Sequence, residues 1–449
     1  MHDIMTNMDK LKEIFNDSIS RNVIENNLYQ KYNVKKGLRN EDGTGVLVGL
    51  TRICDVVGYQ RDKDKKIDIE GKLYFRGYEL QDLCNNMLPN YGFEEIAYLI
   101  LFGKLPSESE LKTLIKEIAN NYQLPDGYIP SYILRYPSIN VMNKIQRSLL
   151  MLYSTDPNPD DTSLENIFSQ GISIVSKLIP IAIYAYQAKN HFFCNESLYI
   201  HHIDESLSIA ENILRLLRPD KQYSQAEVAI LNLLLIIHID HGVGNNSTFT
   251  NSVIASTDTD IYSCFSASVG SLKGRKHGGA NISSLKMMKA VIAEIGVYAT
   301  DEEIENIILR ILDKDFFDNS GLVYGIGHAV YTKSDPRARI LVKKAESLAI
   351  EKNQLPSLNF YKRFESIAKK VLFAKKHKNI CANVDFYSGL IYEMLKIPED
   401  LYTPLFVISR SWGWLAHDIE NKLYANKIIR PAGKYVGEIN DYIKMEDRK

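Results

Sequence analysis

The chain has 449 residues, too many for one simple core, so two or three domains are expected. Apolar residues make up 45% and charged residues 24%, the balance of an ordinary globular protein. A formal net charge of −1 excludes an overall basic nucleic-acid binder.

Apolar runs such as 178–186 and 233–237 fall well short of the roughly 20 residues that span a bilayer, so no membrane is expected. The N-terminal segment MHDIMTNMDKLKEIFNDSIS mixes acids with bases and has no sustained apolar stretch. It reads as neither signal nor transit peptide, which makes the cytoplasm the expected location. Cys54, Cys84, Cys194, Cys264 and Cys381 are scattered, with no CxxC pair. All five are expected to be buried or half-buried thiols in a reducing compartment.

In chain order, residues 46–57 and 73–78 read as strands of a small hairpin around the charged turn RDKDKK. FEEIAYLILF reads as a helix ending at Gly103. Ser107 and Glu110 form a capping box ahead of Leu111, Leu114, Ile115 and Ile118. A helix over 207–217 stops before Pro219, and AEVAILNLLLIIHID, apolar on nearly every face, predicts a buried central helix. Thr300 and Glu303 repeat the capping box ahead of Ile304, Ile307, Ile308 and Ile311. Strand and helix do not alternate, which argues against a doubly wound sheet. Stretches rich in Gly, Asn, Pro and Asp at 154–163, 242–252, 270–281 and 319–337 read as loops.

The last three loops carry most of the chemistry. HIDHGVGNNSTFT sets His238 and His241 three apart at the end of the central helix, near one face. They suit a metal pair, although a third ligand and the HExxH pattern are absent. They also suit a C-terminal histidine bonding helix carbonyls. The favoured reading is a histidine aimed at an anionic substrate, with Asn245, Asn246, Ser247 and Thr248 as further donors.

KGRKHGGAN places His277 among Gly274, Gly278 and Gly279, which let backbone approach a ligand closely. Arg275 and Lys276 disfavour an imidazolium, so His277 reads as a neutral hydrogen-bond donor, or as a loop histidine without a role. GIGHAVYTKSDPRARI carries His328, Asp335, Arg337 and Arg339. Its GxG lacks the third glycine of a dinucleotide fingerprint. Asp335-Pro336 reads instead as a turn that starts a helix, with Arg337 in the first turn.

NVDFYSG sets Asp385 between apolar neighbours, where a desolvated carboxylate becomes a stronger base; the other reading is an N-cap. Arg410 and Arg430 follow, each by itself a candidate surface ion pair. Together, two imidazoles, a carboxylate and several arginines point to carbon-acid chemistry on a polycarboxylate.

These segments, in this order, resemble the citrate synthase family. The likeness rests on HIDHG, the GxLxGxxHGGAN loop, GIGHAV with its following DPR, NVDFYSG, SRxxGxLAH and a late Arg-Pro. It extends to KLYFRGYELQDL, FEEIAYLILFGKLPSESEL and INVMNKIQRSLLMLY, and so runs from about residue 40 to the C-terminus.

The resemblance implies a mainly α-helical, two-domain homodimer with a minor N-terminal β hairpin. Residues 1–278 and 389–449 would form the large domain and 279–388 the small one, with the active site in the cleft between them. It implies an acyltransferase of the tricarboxylic acid cycle that condenses acetyl-CoA with oxaloacetate and then hydrolyses the thioester. Asp385 would be the base, His277 the partner of the thioester oxygen, and His328 the group that polarises the ketone. His241, Arg337 and Arg410 would bind oxaloacetate, and Arg430 would reach the partner subunit's site. Lys375, Lys376 and Lys378 are candidate contacts for coenzyme A phosphates. No metal and no cofactor is expected, since acetyl-CoA is a substrate.

Two departures stand out: Arg275-Lys276 where many members carry Pro-Leu, and Thr332 where some place a basic coenzyme A ligand. The nearest alternative is 2-methylcitrate synthase, which uses propionyl-CoA. More distant ones are a metal-dependent hydrolase built on His238, His241, His277 and His328, and a catalytically inactive helical scaffold.

Overall fold

A computed structural model describes residues 6–62, 65–424 and 427–448. Among them are eighteen α-helices and one three-stranded antiparallel sheet, so the mainly α expectation holds. Contacts divide the chain into two compact units. The described residues of Met1–Leu47 and Arg430–Lys449 form one, and Val48–Ile429 forms the other.

The core of the larger unit is built on the helix Gln225–His238. Ser224 and Glu227 close a capping box at its start, and Leu233 to Ile237 are all buried. Each such aliphatic side chain contributes roughly 1.5–3 kcal/mol on burial. An all-round apolar helix has no solvent face, so it must be surrounded; helices Gly92–Phe102 and Tyr402–Tyr424 pack directly against it. The boxes at Ser107/Glu110 and Thr300/Glu303 form as expected, and Gly103 ends the preceding helix in a left-handed conformation.

Five expectations are corrected. The hairpin is there, but its strands are β1 (Cys54–Asp62) and β2 (Lys65–Phe75), followed by a short β3 (Tyr78–Glu79). Most of the charged turn is thus strand, with Arg61 paired to Lys66 and Asp62 to Lys65. These side chains are exposed, so charge does not stop the ladder. Residues 46–53 lie outside β1, and part of the turn itself falls outside the described residues.

Second, most of the 242–252 loop is helix, Asn246–Ala255. Asn245 caps it, and burial of Thr248, Asn251, Ser252 and Ala255 overrides their weak helical propensity. Third, Cys194 is exposed, because it ends the long helix Leu164–Cys194. Fourth, that helix has 31 residues and is long and apolar enough, by composition, to cross a membrane. Its apolar window is 78% buried within the protein, as in a core helix. The sequence hid its length because Lys177 and Gln187 interrupt the apolar run. Fifth, the central helix ends at His238, so His241 lies beyond it and the two do not share a helix face.

Candidate active site

Five backbone segments bring the predicted groups together. His238 is the last residue of the central helix, and its Nδ1 bonds the Leu234 carbonyl at 2.6 Å, the carbonyl-capping role. The chain then turns through Gly242, whose φ of +76° favours glycine, and leaves His241 half-buried, its pKa lowered by burial first and Arg337 second. Asp240 accepts from the Gly242 N–H and faces His417 Nε2 at 3.2 Å. Burial pushes the Asp240 carboxyl up, but His417 and Arg410 outweigh it and hold it near 2.

The helix Tyr402–Tyr424 supplies Arg410. A Cβ at Gly413 would stand 2.5 Å from the Ile239 carbonyl, so glycine lets this helix sit directly on the turn that carries His241. Arg410 is fully buried; its Nε donates to the His238 carbonyl at 2.7 Å. Neither terminal nitrogen makes a hydrogen bond among the described residues. Burial lowers its pKa to about 10, and neighbouring Arg337 adds to the effect.

His328 and Asp385 are strapped together. The Gly327 N–H donates to the Cys381 carbonyl and the Asn383 N–H to the Gly325 carbonyl. Asn383 works at both ends: its Oδ1 caps the Asp385 N–H and its Nδ2 holds the Gly327 carbonyl. Asn383 is therefore the N-cap of helix Val384–Met394, and Asp385 lies in its first turn. Burial raises the Asp385 carboxyl to about 6, against the pull of Arg337, with Asp335 adding to the rise.

As expected, Asp335 caps a helix that starts at Pro336, with Arg337 in its first turn. Arg337 is buried and forms a double hydrogen bond with Asp335, through Nε at 3.0 Å and Nη2 at 2.7 Å. Burial opposes its charge, but Asp335 more than restores it, so its pKa is raised. Arg337 Nη2 also lies 3.3 Å from His328 Nε2.

His277 lies in the turn after helix Ile261–Lys273, held by its own N–H to Gly274 and by Thr403 Oγ1 to the Gly278 carbonyl. Its pKa falls to about 4, through burial first and Arg410 second. The imidazole is neutral as expected, but the cause differs: Arg275 and Lys276 are exposed. Neither ring nitrogen of His277 has a hydrogen-bond partner among the described residues, nor has His241 Nε2.

Phe406 was not legible as a site residue. Its ring centroid lies 4.6 Å from His238, 6.5 Å from His277 and 4.7 Å from the Arg410 guanidinium carbon. It thus joins the His277 side of the site to the arginine side. The available signal was its position four residues before Arg410 on one helix.

Several predicted residues lie elsewhere or do other work. Asn245 caps its helix, Asn246 accepts from Ser271, and Ser247 accepts from the Trp414 indole, so these donors serve internal packing. Lys375 pairs with Asp313 at 2.9 Å, while Lys376 and Lys378 are exposed. Arg339 pairs with Glu70 at 2.8 Å. Arg430 is an exposed member of the smaller unit. Among the described residues, no three His, Cys, Asp or Glu side chains converge as a metal site requires. A cavity of about 940 Å³ is lined by Arg218, Glu227, Lys352 and Tyr402 and by none of the cluster, so concavity alone points away from this chemistry.

A family model described as "Citrate synthase, C-terminal domain" matches residues 40–432. The chain belongs to the citrate synthase family. It is 31% identical to the citrate synthase of Haloferax volcanii, over 92% of this chain and 99% of that one. It is 30% identical to a 2-methylcitrate synthase of Shewanella oneidensis, over 81% of this chain and 88% of the other. Among solved structures it resembles citrate synthase from Thermoplasma acidophilum, a ternary complex with carboxymethyl coenzyme A and oxaloacetate. That likeness has a TM-score of 0.75 at 26% identity and covers 92% of this chain and 99% of the other. The citrate synthase family resemblance, the fold class and the acyltransferase assignment therefore stand together.

Proposed function

We propose that the protein condenses acetyl-CoA with oxaloacetate and hydrolyses the resulting citryl thioester to citrate and coenzyme A. The observation that carries this reading is Arg410: a fully buried guanidinium with both terminal nitrogens unpartnered among the described residues, close enough to Arg337 for the two charges to repel. Asp335 engages Arg337 directly, whereas no carboxylate among the described residues hydrogen-bonds the buried terminal nitrogens of Arg410, which therefore call for an anion. A dicarboxylate meets that need, with one carboxylate taking paired hydrogen bonds from the open fork of Arg410. His241, Arg337 and Arg410 are its proposed ligands.

Asp385, ionised above about pH 6, removes a proton from the acetyl methyl group. Neutral His277 donates a hydrogen bond to the thioester oxygen as negative charge develops there. The new carbon nucleophile attacks the oxaloacetate ketone, and His328 Nε2–H beside Arg337 takes up the charge forming on that oxygen. Water then cleaves the thioester and releases the thiol. Closure of a small domain, 279–388, over the larger part would keep water away until condensation is complete. Lys376 and Lys378, exposed near a helix C-terminus, remain candidate contacts for coenzyme A phosphates.

Propionyl-CoA is the alternative acyl donor, favoured by the likeness to a 2-methylcitrate synthase. One methylene in an apolar pocket is worth only about 1–3 kcal/mol, so rates must decide. Thiol release measured with acetyl- and propionyl-CoA, with and without oxaloacetate, tests both readings. Oxaloacetate-dependent release that is faster with acetyl-CoA supports the proposal; faster release with propionyl-CoA selects the alternative. No release from folded protein sinks both.

The proposed assembly is a homodimer in the cytoplasm, with Arg430 completing the partner subunit's site. Supporting it, the smaller unit exposes Met8, Leu11, Phe15, Ile439 and Tyr442 by 59–95%, apolar surface that a second copy would cover. In mixed dimers of Asp385→Ala and Arg430→Ala chains, one of the two sites is native. Co-expression is therefore expected to restore activity that neither variant has alone. Absence of restoration in a purified mixed dimer would remove Arg430 from the shared site.

A further inference from the structure

We propose that Tyr331 is a positioning residue for His328, held in place by the β1–β2 ribbon through Gly58 and Gly71. What His328 does for the reaction rests on the citrate synthase reading; how it is held rests on geometry alone. The Tyr331 ring stacks on the His328 ring at 4.6 Å and 25°, and meets the His241 ring edge-on at 5.7 Å. The Arg337 guanidinium carbon is 5.9 Å from its centroid. One buried ring thus borders His328 and two of the proposed oxaloacetate ligands, His241 and Arg337.

His328 Nδ1 accepts the backbone N–H of both Val330 and Tyr331, each at 3.0 Å. The ring proton is thereby assigned to Nε2, which lies beside Arg337 Nη2. Two donors side by side suit one ketone or carboxylate oxygen, provided the imidazole plane stays fixed. The two backbone bonds fix the Nδ1 edge of the imidazole, and the Tyr331 stack bars tilting of the ring toward one face.

Tyr331 is itself fixed from the ribbon. Its Oη donates to the Lys72 carbonyl at 3.3 Å, and Cys381 Sγ donates to its carbonyl at 3.6 Å. A Cβ on Gly71 would lie 2.6 Å from the Tyr331 ring and 2.2 Å from the Ser334 carbonyl. A Cβ on Gly58 would lie 2.5 Å from the Val330 carbonyl. The ribbon backbone therefore forms a floor under the loop that carries His328. Gly71 N–H and the Glu70 carboxylate both bond Ser334 Oγ and pin the far end of that loop. Neither the ribbon nor Tyr331 supplies an acid or a base; their work is alignment.

The test compares Tyr331→Leu, Tyr331→Phe and Gly71→Ala. Tyr331→Leu is expected to lower kcat by about 30–100-fold, the scale of a small misplacement of a reacting group. The carbonyl stretch of bound, ¹³C-labelled oxaloacetate is expected to move toward its value in free solution. Tyr331→Phe keeps the stack and restores most of both quantities. Gly71→Ala, which keeps the Tyr331 side chain but pushes it off the ribbon, shifts the band in the same direction and serves if the leucine variant does not fold. An unchanged band in the leucine and alanine variants, whatever their stability, overturns the proposal. If wild type gives no oxaloacetate-dependent thiol release, the functional reading fails and the ¹⁵N shifts of His328 decide the positioning. A single Nε2–H tautomer in wild type that averages in Tyr331→Leu supports it, and identical shifts overturn it.

Discussion

Replacing Asp385 by asparagine is expected to lower kcat by about 10³-fold, within the roughly 10²–10⁴ that a positioned base supplies. The side chain keeps its shape and its place in the first turn of helix Val384–Met394, so the loss reports proton transfer and not folding. The pH profile gives an independent check. Burial raises the Asp385 carboxyl to about 6, and only its ionised form accepts a proton. In wild type, kcat/KM should therefore rise with pH through about 6 and level off above it.

His277, near 4, is already neutral there and adds no second rise. The residual rate of the asparagine variant should lose the step at 6. Stability moves the other way. A carboxyl raised in the folded state contributes most below its ordinary pKa and loses that contribution as pH rises through about 6. The variant should consequently be at least as stable as wild type at pH 7. A full-strength asparagine variant would remove Asp385 as the base.

Replacing Arg410 by methionine is expected to abolish oxaloacetate binding and, in the absence of ligand, to stabilise the protein. A guanidinium held down from 12.5 to about 10 carries about 3 kcal/mol of penalty on its charged form. Methionine removes that penalty and fills similar space against Phe406. It also loses the Nε bond to the His238 carbonyl, worth about 1 kcal/mol. The net gain is therefore about 2 kcal/mol, or a few degrees in melting temperature.

With saturating oxaloacetate the order should reverse, because only wild type binds the ligand and is stabilised by it. Calorimetry with and without oxaloacetate reads both halves. A variant that is less stable than wild type in both conditions would mean that Arg410 is structural.

The linear pattern was enough for the capping boxes, the buried central helix and the turn at Asp335-Pro336, whereas the candidate groups His241, Arg337 and Arg410 drew their site roles from the family resemblance, Arg410 by itself reading as a surface ion pair. Each depends on neighbours a few residues away: a side chain that reaches its own helix start, an apolar periodicity, a proline that cannot donate. Motif order also carried the family, because residues that share a site need recur only in sequence order to be recognised.

Other features came only with tertiary structure. Asn246–Ala255 is helical because its polar residues are buried against other helices, which overrides local propensity. His277 is neutral first because the fold buries it and second because Arg410, more than a hundred residues away in the chain, lies near it, while its sequence neighbours Arg275 and Lys276 are exposed. The fork of Arg410, unpartnered among the described residues, and Tyr331 stacked between His328 and the ribbon follow the same logic. Sequence determined which chemical groups the chain possesses and which helices begin where. Burial and through-space charge decided their protonation and their partners, because both fall off with distance in space and not with separation along the chain.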